Sequence, residues 1–334
     1  MTSLLLLGGG GFLGHHIRDE LNNHNIRYLS PRSSELNLLD YNALLSYLAK
    51  YKPTTIVDAA ALCGGITKNA TNPATFLRDN TLMGLNIYEA ARLNNITNIY
   101  SLGSVCMYGD NCPTPFKEDN MWEGGQPQIT NSYYSQGKRT LMMLGTAYKQ
   151  QYGFTGAHLI PTNLFGPHDS FDMTKSHVIP ALIKKTIDAK ETNAPYIECL
   201  GKGVAHREFL YAGDCAVAIV KAVRNKLDTD LPINLGTGKS ISIADLAVLI
   251  KELCGYEGDV VFKGGFDGQM NRRLDVTRAK NLLNWESKTS LRDGLKATIA
   301  WYIDNRHETK TSPNNSCSSD DRSDNDARFS ASTD

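Results

Sequence analysis

Tyr134 and Lys138 stand four residues apart, and so share one face of the helix that the sequence predicts from Ser132. A phenol ordinarily titrates near about 10, and a neighbouring ammonium favours the phenolate, so the pair is suited to giving and taking protons near neutrality. Ser104 lies upstream, at the end of an apolar run, where its hydroxyl could share a substrate carbonyl with the phenol. A second set of residues is suited to binding phosphate. Gly8, Gly11 and Gly14 form G-x-x-G-x-x-G directly after the apolar run Leu4–Leu7, at the opening of a predicted helix. Glycines there permit a tight turn and a close backbone approach to a pyrophosphate, while the helix N-terminus supplies amide donors. After the next apolar run come Ser30, Pro31, Arg32, Ser33 and Ser34, with no acid before Glu35. An acid at that point would bind the ribose 2′-hydroxyl of NAD, whereas a cation and hydroxyls suit a 2′-phosphate, so NADP(H) is the expected cofactor and Arg32 its contact.

These groups need a scaffold that brings loops from distant parts of the chain to one place. Short apolar runs alternate with longer amphipathic stretches up to about residue 160, which predicts parallel β-α-β units. The predicted strands are Leu4–Gly8, Ile26–Leu29, Thr55–Ala59, Ile99–Gly103 and Gly156–Ile160, with helices opening near Phe12, Asp40, Pro73 and Ser132. The expected fold is α/β, a Rossmann-type doubly wound parallel sheet with a smaller C-terminal substrate-binding α/β region. Residues 1–160 would form the dinucleotide domain, with parts of later segments returning to it. Residues 161–306 would mainly bind substrate, with a helix from Val178 and a strand near Ile197. Residues 307–334, rich in Ser, Asp, Asn, Thr and Arg, read as a disordered tail.

Composition narrows the function classes. The 35 basic and 35 acidic side chains cancel, which removes the overall positive field that nucleic-acid or anionic-membrane binding uses. No run is long enough to span a bilayer, and no secretory signal precedes the first strand, so Asn69 and Asn95 in their Asn-x-Thr sequons read as chance. Seven cysteines without a C-x-x-C pair suggest reduced thiols in a cytoplasmic protein, and no metal site is expected.

The Ser/Tyr/Lys set with the glycine motif resembles the extended short-chain dehydrogenase/reductase family. Within it, the chain up to the polar tail resembles the GDP-L-fucose synthase family, on Ser34–Asp40, Cys63-Gly-Gly-Ile66, Gly103–Tyr108, Pro161–Asp169, Ser176–Leu182, Arg207-Glu-Phe-Leu210 and Leu274–Arg278. The resemblance implies NADPH-dependent 3,5-epimerisation and 4-keto reduction of GDP-4-keto-6-deoxy-D-mannose to GDP-L-fucose, in a homodimer. It implies Tyr134 as acid/base, Lys138 as its tuner and a cofactor contact, Ser104 as carbonyl orienter, and Cys106 with His177 as the epimerising pair. It places Phe12, Leu13, Asn37, Leu38, Ala60, Asn80, Pro161, Asn163, Leu164 and His177 at the cofactor. Asn163, Lys185, Leu200, Arg207 and Arg272 fall at the nucleotide sugar. Lys185 stands where the family carries arginine and Leu200 where it often carries tryptophan, so a GDP-linked heptose or a 3,6-dideoxy sugar is an alternative substrate. A non-catalytic NADP-binding protein is a further alternative.

Overall fold

The computed structural model describes residues 3–265 and 268–311. The first half runs β1 (Leu4–Leu7), α1 (Phe12–Asn23), β2 (Tyr28–Leu29), α2 (Tyr41–Tyr51), β3 (Thr55–Asp58), α3 (Ile66–Thr71), α4 (Pro73–Leu93), β4 (Asn98–Leu102), α5 (Ser132–Tyr152) and β5 (Thr155–Pro161). The second half continues β6 (Asn163–Phe165), α6 (Val178–Glu191), β7 (Tyr196–Cys199), β8 (His206–Arg207), β9 (Phe209–Tyr211), α7 (Ala212–Arg224), β10 (Ile233–Leu235), β11 (Ile241–Ser242), α8 (Ile243–Cys254), β12 (Asp259–Phe262), β13 (Asn271–Arg272), α9 (Thr277–Leu283) and α10 (Leu291–Thr311). Six strands form a parallel sheet in the order β10-β5-β4-β3-β1-β2.

The four leucines of β1 show why this sheet is covered on both faces. Successive strand side chains point to opposite faces. Leu4 and Leu6 join Ile17 and Leu21 of α1 and Ile219 of α7, while Leu5 and Leu7 join Leu44 and Leu48 of α2, Ile87 of α4 and Leu141 of α5. A strand buried on both sides reads as a continuous apolar run, as Leu4–Leu7 does. Helix α7 and strand β10 come from beyond residue 161, so the chain returns to the sheet after leaving it.

A second core gathers α6, α8 and α10 with β7, β9 and β12, centred on Ile183, Ile197, Leu246, Leu295 and Tyr302. Smaller sheets join the two regions: β6 pairs with β9, β8 lies between β11 and β13, and β7 pairs with β12. Strand β2 is shorter than the predicted Ile26–Leu29. The amide of Ile26 is used to close α1 on the Leu21 carbonyl at 2.9 Å, behind Asn25 at φ 54°. Helix α3 lies in a stretch for which the sequence predicted no element. Helix α10 carries the chain to Thr311, past the expected boundary at 306, and the rest of the expected tail lies outside the described residues.

One buried carboxylate joins the two regions. Glu208 lies between β8 and β9, is fully buried, and accepts from the amides of Thr237, Gly238 and Leu274, the last at 2.6 Å. Its own carbonyl accepts from Asn163 Nδ2 at 2.8 Å and Thr162 Oγ1 at 3.3 Å. Burial raises the Glu208 pKa against the lowering effect of those hydrogen bonds. Replacing Glu208→Gln would keep the shape but turn an amide NH₂ toward backbone N–H donors. Urea unfolding of this variant is expected to show a loss of about 2–3 kcal/mol with an unchanged m-value.

Candidate active site

The carboxyl ends of β1, β3, β4 and β5 lie along one edge of the sheet, where open α/β sheets hold their ligands. At β1, Gly8 turns the chain with φ +78°, and a Cβ there would sit 2.7 Å from the Ala59–Ala60 backbone. A Cβ on Gly14 would lie 2.2 Å from the Gly8 carbonyl oxygen. Gly11 caps α1, whose first turn holds no acidic residue, so its amides and positive dipole end suit an anion. Phe12 and Leu13 follow in that turn. Arg32 is exposed after β2, and the Glu35 carboxylate folds back to accept from the Arg32 amide at 2.7 Å. The nearby loop is fixed by Asn86 of α4, which donates to the Leu38 carbonyl at 2.8 Å, and by Asn37, which accepts from the Leu39 amide at 3.0 Å. This cradle, too tight for any Cβ at Gly8 or Gly14, fits a dinucleotide.

Helices α4 and α5 approach closely where Gly137 leaves no side chain; a Cβ there would lie 3.0 Å from Asn80 Cβ. Asn80 clamps the loop after β3, accepting from the Leu62 amide at 3.0 Å and donating to the Leu62 and Phe76 carbonyls. One residue on, Lys138 is buried and donates to the Leu102 carbonyl at 3.0 Å and the Ala60 carbonyl at 3.5 Å. Its charge is felt by two buried neighbours. Asp58 is raised by burial, with Lys138 opposing, and His158 is lowered to about 3, by burial first and by Lys138 second. His158 Nδ1 shares a 2.8 Å hydrogen bond with Ser101 Oγ.

Tyr134 differs from expectation. Its pKa lies well above the ordinary value because burial dominates, with Cys63 and Cys106 adding to the rise and a hydrogen bond to Ser104 opposing it. The Lys138 ammonium is bonded to backbone carbonyls and does not offset this burial. The phenol therefore holds its proton at neutrality, which is the state a donor to a forming alkoxide needs. Ser104 also caps a 3₁₀ turn, Val105–Met107, by accepting from the Cys106 amide at 3.2 Å. Arg139, buried on α5, fixes this turn by donating to the Met107 carbonyl at 2.7 Å.

His177 caps α6 with its backbone and makes no side-chain capping bond. His177 is exposed, and desolvation by the surrounding protein lowers its pKa. The loop after β3 meets it: a Cβ on Gly65 would sit 3.3 Å from the Ser176 carbonyl. Pro161 ends β5, and Asn163 and Leu164 open β6 beside it. Arg207 and Arg272 are register partners on β8 and β13. Arg272 is buried, and its Nη1 donates to Cys106 Sγ at 3.5 Å.

Two expected substrate residues remain, Lys185 and Leu200. Lys185 donates to the Glu198 carbonyl at 2.8 Å, and Leu200 is 85% exposed. Sequence reasoning gave no role to Cys63, whose exposed thiol donates to the Tyr134 hydroxyl at 3.6 Å. A cysteine in a loop carries no spacing signal. The same holds for His158, which is one polar residue in a buried strand.

The His158 shift sets a pH dependence. Its folded pKa is depressed, so the stability it contributes is present above the unfolded value of 6.5 and lost as pH falls toward about 3. Stability is expected to fall by up to about 1.4 kcal/mol per pH unit across this window, and His158→Asn is expected to flatten that slope in urea titrations.

The model of the NAD dependent epimerase/dehydratase family matches residues 4–236. The chain is 34% identical over 305 residues to GDP-L-colitose synthase of Yersinia pseudotuberculosis, covering 91% of this chain and 99% of that protein. It is 35% identical over 313 residues to GDP-L-fucose synthase of Escherichia coli (strain K12), covering 91% and 97%. Among solved structures, a GDP-6-OMe-4-keto-L-xylo-heptose reductase from C. jejuni superposes with a TM-score of 0.85 at 25% identity, covering 91% of this chain and 98% of that one. A GDP-L-fucose synthetase from Naegleria fowleri bound to NADP gives 0.82 at 26%, covering 92% and 95%. With the glycine cradle, the Tyr134–Lys138 pair and the Ser104 turn all at one sheet edge, this chain belongs to the NAD dependent epimerase/dehydratase family.

Proposed function

We propose that the chain is an NADPH-dependent epimerase-reductase acting on GDP-4-keto-6-deoxy-D-mannose and forming GDP-L-fucose. The observation that supports this reading is the Ser104–Cys106 turn beside Tyr134, where a hydroxyl, a thiol and a phenol are neighbours. The relatives' GDP-sugar activities and the NADP bound to a similar structure support it.

The Gly8–Gly14 cradle and the α1 amides would hold the pyrophosphate, Arg32 and the neighbouring serines the 2′-phosphate, and Lys138 the ribose. NADPH supplies the hydride for carbon 4. Ser104 and Tyr134 hydrogen-bond the 4-keto oxygen, which makes the hydrogens on carbons 3 and 5 acidic. Cys106 and His177 remove and return protons at those carbons, one acting as base and the other as acid. Tyr134 then protonates the carbon-4 oxygen as reduction occurs. Asn163 is held against Glu208, and Lys185 and Arg207 serve the nucleotide diphosphate.

Exposed Leu82, Leu85, Tyr133 and Met143 on α4 and α5 support a homodimer through these helices. The free thiols of Cys63 and Cys106 suit a cytoplasmic setting. A related GDP-linked keto sugar is the second reading. Lys185 and the exposed Leu200 favour it, as do the colitose and heptose enzymes among the similar proteins.

Incubation with NADPH and GDP-4-keto-6-deoxy-D-mannose in heavy water is expected to oxidise NADPH and place deuterium at carbons 3 and 5. Cys106→Ser and His177→Gln should lose the exchange, and Tyr134→Phe should cut reduction by about 10²–10⁴-fold. Oxidation without exchange would reduce the chain to a plain 4-ketoreductase. No turnover of this sugar, with turnover of a GDP-linked heptose, would select the second reading.

A further inference from the structure

Arg272 is a buried cation whose surroundings call for an anion. It is 8% exposed, and none of the ion pairs among the described residues includes it. A buried charge without a counter-charge is costly. Its Nη1 donates to the Cys106 sulfur at 3.5 Å, and its Nε donates to Gln269 Oε1 at 2.9 Å. The Gln269 amide in turn donates to the Gly109 carbonyl at 3.2 Å and the Asp110 carbonyl at 2.8 Å. Those carbonyls follow the 3₁₀ turn that carries Cys106. The guanidinium is thus tied to the same loop as the thiol, at both of its ends.

We propose that Arg272 is a positioning residue for Cys106, the cation that is fixed on its sulfur and aims it at the substrate carbon, and not a ligand of the substrate phosphates. The proposal rests on the epimerase reading above for its use. The thiolate takes a proton from carbon 3 or 5, and the C–H electron pair moves into the keto group to form an enolate. Cys106 then carries S–H, and its attraction to Arg272 weakens. His177, protonated from solvent, gives a proton to the opposite face of the carbon, and the Cys106 proton passes to solvent, so one proton enters and one leaves in each inversion. No electrons are gained or lost. A cation fixed on sulfur favours the reactive form of the thiol before substrate arrives.

The test is alkylation of Cys106 by iodoacetamide at neutral pH, followed by peptide mass spectrometry, in the wild type, Arg272→Gln and Arg272→Lys. Cys63 is the internal control, because its exposed thiol contacts Tyr134 and not Arg272. Arg272→Gln is expected to slow Cys106 alkylation about tenfold with Cys63 unchanged, and Arg272→Lys to recover most of the rate. In heavy water with the keto sugar, Arg272→Gln should lower kcat for exchange more than it raises KM. Equal or faster Cys106 alkylation in Arg272→Gln overturns the proposal, and a raised KM with unchanged alkylation assigns Arg272 to the substrate phosphates. Should Arg272→Gln alkylate Cys63 faster as well, its fold is disturbed and Arg272→Lys decides: a Cys106 rate near wild type supports the proposal, and a rate as low as with an unrelated thiol overturns it. Absence of exchange in the wild type would overturn the epimerase reading alone, since the alkylation result stands without substrate.

Discussion

The buried carboxylate of Glu208 is the constraint on which the site depends. A carboxylate in a dry interior must fill its lone pairs, and Glu208 does so with amides from the loops after β10 and β13. Those loops lead to Val276 and back to Arg272. The same residue's carbonyl fixes Asn163 at the start of β6. One side chain therefore sets the distance between the dinucleotide sheet and the strands that carry Arg207 and Arg272. The site is a seam between two cores, and Glu208 lies within it.

On the sheet side, electrostatics is arranged around Lys138. Its ammonium is buried among the carbonyls of Leu102 and Ala60, with Asp58 raised and His158 lowered beside it. Tyr134, one turn earlier, lies in a desolvated patch facing Cys63, Cys106 and Ser104. Burial thus gives the two members of the pair different tasks: the lysine holds loops and charge, and the tyrosine keeps a proton. Arg139 and Arg272 hold the Ser104–Met107 turn from two sides, so a short segment bears two reactive groups without depending on its own few backbone bonds.

The elements that were legible share one property: their signal is local. Leu4–Leu7 reads as a doubly buried strand because both faces are covered, and Gly8 and Gly14 read as a tight turn because a close backbone approach leaves no room for a side chain. Tyr134 and Lys138 read as a pair because helical spacing alone places them on one face. Ile26 and Arg27 were misread as strand because a helix cap, set by Asn25, took the Ile26 amide first. Sequence spacing brings the Lys138 ammonium near Tyr134 but says nothing of the surroundings that raise the phenol or of which carbonyls the ammonium meets.

By itself, the sequence determined the parallel α/β order and the glycine turn after β1, because each follows from periodicity or spacing within a few turns of chain. Only the tertiary structure decided which groups touch across long separations. Cys63 reaches Tyr134, Arg272 reaches Cys106, and Glu208 reaches Leu274, each across a separation that no local pattern encodes. Burial depth was decided there too, because it depends on how the two cores close over the seam.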